Sequence, residues 1–102
     1  MSEALKEFTI DTFKPRVGEL FRVIVDEKWE MQTRLSDVEV WGHEEAKSRP
    51  RHPFSLIFHA APNAVIPQAI YRVENENMDA VELFLVPIGP DAQGMRYEAV
   101  FT

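Results

Sequence analysis

Apolar and polar residues alternate with a period of two over much of this chain, and that alternation predicts strands. Leu20-Phe21-Arg22-Val23-Ile24-Val25-Asp26 is β-branched and aromatic, with Phe21, Val23 and Val25 on one face. Asp26-Glu27-Lys28 turns the chain. A second strand starts at Trp29 and sets Trp29, Met31, Thr33 and Leu35 against Glu30, Gln32 and Arg34. The alternation then slips by one, because Val38 and Val40 continue on the even positions. A bulge at Ser36-Asp37 reconciles the two halves. The third strand, Phe54 to Ala60, directs Phe54, Leu56 and Phe58 inward. The fourth spans Gln68 to Glu74. The fifth runs from Ala80 to Val86, with Val81, Leu83 and Leu85 on one face, and stops at Pro87, which has no N–H for a ladder. Gly89-Pro90-Asp91-Ala92-Gln93-Gly94 turns the chain into the sixth, Met95 to Phe101.

Ahead of the strands, Thr9 or Asp11 can cap a short helix. Pro15 confines it to one or two turns, and Gly18 suits the residue just past its end. Phe8, Phe13, Val17 and Leu20 would plug this helix onto the sheet. The pattern therefore predicts an all-β domain: a small six-stranded antiparallel barrel or roll with a short N-terminal helix capping one end. Residues 1–102 read as a single domain, with 1–8 a frayed N-terminus and 41–53 a long exposed loop. Ala61-Pro62-Asn63-Ala64-Val65-Ile66-Pro67 is an apolar loop bracketed by prolines. The fifth strand is apolar on both faces, so its outer side should be central or covered by the helix or a partner. The final hairpin ends at the last residue, and its strand should be needed to complete the fold.

Composition narrows the function classes. The absence of cysteine removes disulfides, thiolate nucleophiles and cysteine-based zinc sites. A net charge of −6 favours solubility and argues against nucleic acid or an anionic membrane as partner. No stretch has the length of a membrane span and the first residues lack the form of a signal peptide, so a cytoplasmic location is expected.

No constellation points to catalysis, to a cofactor or to a metal. His43, His52 and His59 are the three histidines, and they lack both helical pairing and cysteine company. Ser55 and His59 stand four residues apart on one strand, about 13 Å at the strand rise, beyond hydrogen-bond reach. Glu74, Glu76, Asp79 and Glu82 gather at one hairpin, where solvated carboxylates that blunt a strand edge are the ordinary reading. Lys47-Ser48-Arg49-Pro50-Arg51-His52 is the one basic patch, and Arg49 and Arg51 could meet an anionic partner. Trp41 falls out of parity with Val38 and Val40 and is a candidate contact anchor beside that loop. Phe84, Val86 and Val100 are too apolar for a freely solvated outer face.

Five stretches carry a resemblance: Pro53-Phe54-Ser55-Leu56-Ile57-Phe58, Pro67-Gln68-Ala69-Ile70-Tyr71-Arg72-Val73-Glu74, Glu82-Leu83-Phe84-Leu85-Val86-Pro87-Ile88-Gly89-Pro90, Gly94, and Tyr97-Glu98-Ala99-Val100-Phe101. With Phe13-Lys14-Pro15-Arg16-Val17-Gly18-Glu19-Leu20-Phe21 at the opening, the chain resembles a family of short uncharacterised bacterial all-β domains. The resemblance implies no activity and no catalytic residue. It implies an association with genes resembling phage-tail-collar proteins. The expectation is a non-enzymatic structural or protein-interaction module, accessory to a phage-tail-like assembly, with a protein partner or a second copy of itself (a homodimer) on Trp41, Arg49, Arg51, Phe84, Val86 and Val100. The alternative is a small-molecule-binding β-barrel or weak enzyme with its ligand at the barrel mouth.

Overall fold

The computed structural model describes residues 8–40 and 53–101. A four-residue helix α1 (Ile10–Phe13) runs into a 3₁₀ turn (Lys14–Arg16). Six strands follow: β1 (Leu20–Asp26), β2 (Trp29–Val40), β3 (Phe54–Ala60), β4 (Ala69–Asn75), β5 (Met78–Asp91) and β6 (Gly94–Phe101). Every pairing is antiparallel, and the order β1-β2-β3-β6-β5-β4 closes on itself. The expected six-stranded antiparallel barrel is the fold. Closure comes from three pairs between β1 and β4: Arg22↔Glu74, Val23↔Val73 and Ile24↔Arg72.

Period-two alternation fills the inside. Phe21, Val23, Met31, Leu35, Phe54, Leu56, Phe58, Tyr71, Val73, Val81, Leu83, Leu85, Tyr97 and Ala99 are all buried. The slip in β2 is a bulge, as the switch of parity requires, with Ser36 the extra residue between Leu35↔Phe58 and Asp37↔Ile57. Phe13 is fully buried and leans on Phe54 and Phe101, with ring centroids 6.1 and 5.5 Å away, so α1 caps the barrel as expected. Val17 and Leu20 do not join it and are exposed. Pro15 tightens the helix into a 3₁₀ turn, and Gly18 with φ of 96° redirects the chain, so Val17 loses the face it would share with Phe13 in a longer helix. The Gly18 N–H then donates to the Leu35 carbonyl at 2.7 Å, and the Leu35 N–H to the Glu19 carbonyl at 3.1 Å.

Three further expectations are corrected. Trp29 is exposed, because it sits at the rim of the β1–β2 hairpin, outside the span over which β1 and β4 close the sheet. The fifth strand does not stop at Pro87 but continues to Asp91. Ile88 is an extra bulge residue there, Gly89 takes φ of 93°, and Arg96 donates to the Gly89 and Ile88 carbonyls at 3.1 and 3.2 Å. The bulge lets the strand carry Pro87 and Pro90 without losing its partner. Finally, the strand covered on both faces is β3, where Ser55 and Ile57 are buried opposite the core row. The outer side of β5 carries an exposed Phe84.

Tyr97 seals the connection between β3 and β4. Its hydroxyl is buried, accepts from the Ile66 N–H at 2.9 Å and donates to the Ala64 carbonyl at 2.6 Å. Tyr71 donates to the Pro67 carbonyl at 2.5 Å. Ile66 itself is buried. Tyr97→Phe strands an amide and a carbonyl in an apolar setting, and should cost about 2 kcal/mol in urea denaturation, with faster amide exchange at Ile66. Gly94 has φ of 133°, and a Cβ there would lie 2.1 Å from the Ala60 carbonyl oxygen. Gly94→Ala should therefore cost roughly 2 kcal/mol or more by the same assay.

Candidate functional site

Two places on the outer wall gather groups that could do something chemical. The first is centred on His59, which points outward from β3 and is 13% exposed. Its Nε2 lies 2.9 and 3.0 Å from the two carboxylate oxygens of Asp91 at the end of β5. The carboxylate can only accept, so Nε2 carries the proton, and in the neutral ring Nδ1 accepts from the Ser36 hydroxyl at the β2 bulge. Arg34 and Arg96 stand directly opposite His59 on its two neighbouring strands. Asp91 also takes the Gln93 N–H at 2.8 Å and lies 3.9 Å from Arg96. The His59 hydrogen bond, then the Gln93 N–H, hold its carboxyl below the usual carboxylate range.

Beside His59 is a groove of about 290 Å³, lined by Leu20, Gln32, Thr33, Arg34, His59, Ala60, Ala61 and Gln93. Neither Ser36 nor Asp91 is part of that wall. A Ser–His–Asp hydrogen-bonded chain invites comparison with acyl-transfer machinery, but a nucleophile must face the substrate together with donors for the oxyanion. Here the serine does not line the groove. The chain of contacts acts as a clamp joining the β2 bulge to the β5–β6 hairpin across β3.

The second place is the outer face of β4, β5 and β6. Ile70 and Phe84 are directly opposite each other and are 66% and 51% exposed. Val86 follows Phe84 on the same face, half-buried, opposite Glu98. Val100 stands two residues past Glu98 and is 47% exposed. Arg72 and Glu82, the adjacent opposed pair, border this row.

A family model for a domain of unknown function, DUF6916, matches residues 8–101. The chain belongs to the DUF6916 family. Searches of curated proteins and of solved structures give no match.

The DUF6916 domain brings Phe84, Val86 and Val100 onto one surface and adds Ile70, whose place beside Phe84 depends on strand pairing that the sequence pattern does not show. Trp41, Arg49 and Arg51 lie outside the described residues, as do His43 and His52. Ser55 is buried, and His59 finds its serine on β2 instead. Among the hairpin carboxylates, Glu74 is paired with Arg72 at 2.8 Å and Arg22 at 3.2 Å, which hold it below its usual range in that order. Among the described residues no group of three or more histidine or acidic side chains is placed to hold a metal, and no helix is long and apolar enough to cross a membrane.

Glu19 is a third lowered carboxyl. It accepts from the amides of Asn77 at 3.1 Å and Asn75 at 3.0 Å, and the Asn77 hydrogen bond is the larger cause. A carboxyl whose folded pKa is depressed contributes stability above its unfolded pKa and loses it as pH falls through the folded value. These carboxyls should therefore contribute fully above about pH 5, and thermal melts should decline below about pH 4. Asp91→Asn should make that decline shallower.

Proposed function

We propose that this DUF6916 domain is a non-enzymatic docking module of the cytoplasm, and that its contact surface is the outer face of β4, β5 and β6. The observation that carries the reading is the contiguous row Ile70, Phe84, Val86 and Val100, largely in water on a wall whose other face is the core. Leaving such side chains in solvent forgoes roughly 1.5–3 kcal/mol for each large one that a partner would fully bury. Single exposed apolar residues are ordinary, but a connected row rimmed by charge marks a contact site. A closed sheet offers no edge for strand addition, so association has to be face to face.

The occupant we favour is a second copy. Arg72 and Glu82 sit across from each other at the border of the row, so a two-fold partner can set unlike charges together around an apolar centre. A homodimer of this kind would suit an accessory component of a phage-tail-like assembly.

Sedimentation velocity over a wide concentration range tests the reading. The wild-type domain should dimerise, and Phe84→Glu should be monomeric with its unfolding free energy within about 0.5 kcal/mol of wild type, because the ring is half in solvent already. A wild-type domain that stays monomeric throughout, or a Phe84→Glu variant that still associates, overturns it.

A further inference from the structure

We propose that the groove beside His59 is a binding site for a small organic anion, a carboxylate or phosphate on a compact and partly apolar body. The argument starts from charge. Across β2, β3 and β6 the outer wall carries Arg34, His59 and Arg96 in one row. Asp91 is the acid in contact with this row, shared between His59 and Arg96, while Asp37 and Glu98 stand in the next outer row and Glu30 holds the Gln32 amide at 3.0 Å. The ion pairs among the described residues are those two and the pairs of Glu74 with Arg22 and Arg72. Arg34 therefore keeps a full positive charge without a counter-ion among the described residues, on the wall of a groove, in a chain of net charge −6.

The shape agrees with the charge. Gln93 brings an amide donor to the same wall, the Gln32 amide there already donates to Glu30 at 3.0 Å, and Leu20, Ala60 and Ala61 supply apolar surface. At about 290 Å³ the groove is at the small end of ligand sites. A guanidinium binds a carboxylate or phosphate through two parallel N–H donors, which fixes the orientation of the bound group. Asp91 acts as a built-in competitor: its carboxylate already occupies His59 Nε2, so an incoming anion engages Arg34 first and then shares the row.

The test is a titration of isotopically labelled full-length domain followed by amide chemical shifts, at constant ionic strength. The probes are sodium benzoate, inorganic phosphate, and benzylammonium chloride as a cation of similar size. Benzoate should give saturable shifts at Gln32, Arg34, Ala61 and Gln93, with affinity in the millimolar range. Phosphate giving the same shifts would assign recognition to the oxyanion alone, and benzoate alone would assign part of it to the apolar wall. Arg34→Glu, a change at an exposed position, should weaken benzoate binding at least roughly tenfold. Asp91→Asn keeps the acceptor for the Gln93 N–H, removes the competing charge, and should tighten binding several-fold. Absence of saturable shifts with both anions, equal shifts with benzylammonium, or binding unchanged in both variants overturns the proposal.

Discussion

The domain depends on closure of its sheet, and closure rests on a short ladder. Only three residue pairs join β1 to β4, against six or seven for β1–β2, β2–β3, β3–β6 and β4–β5. Val23 and Val73 make the inner contact of this ladder and both are buried. Arg22 and Glu74 lock it outside at 3.2 Å. The Asn75 amide, just past the ladder, reaches the Leu20 carbonyl at 3.0 Å and the Glu19 carboxylate at 3.0 Å. With those contacts in place none of the six described strands is left as an open edge, and the inside becomes one continuous core under α1 and the Ile66 loop. Among the described residues, the outer walls of the barrel are then a main surface left for recognition.

How much of this could be read from the residues depends on the range of the interaction. Alternation is local, so the strands, the inward rows and the slip at Ser36 were legible. The short capped helix was legible too, since Pro15 and Gly18 act on their own neighbours. Pairing is not local. Pro87 reads as a stop because it lacks a donor, yet a bulge at Ile88 with Arg96 across from it carries β5 four residues further. Trp29 reads as core by parity, and only the limited extent of the β1–β4 ladder shows that it lies on the rim.

The candidate sites divide the same way. Phe84, Val86 and Val100 betray themselves as apolar residues on the wrong parity. Ile70 does so only once β4 is known to lie beside β5. The His59 cluster was out of reach, because Ser36, His59 and Asp91 come from three strands widely spaced in sequence. A search for serine near histidine along the chain finds Ser55, which the fold buries on the outer side of β3.

Both bulges bear on what His59 can do. A bulge adds one residue to one strand and re-aims the side chains around it. The extra residue in β2 is Ser36, and it contacts His59 Nδ1. The extra residue in β5 is Ile88, and the strand beyond it delivers Asp91 to Nε2 at 2.9 Å. Both nitrogens of the ring are thus held by residues that irregular pairing puts there. An imidazole so held keeps one tautomer and one orientation, and it presents its ring to the groove as a fixed wall. Arg34, opposite it on β2, has no ion-pair partner among the described residues. A held ring beside that guanidinium is the arrangement on which the proposed anion site rests.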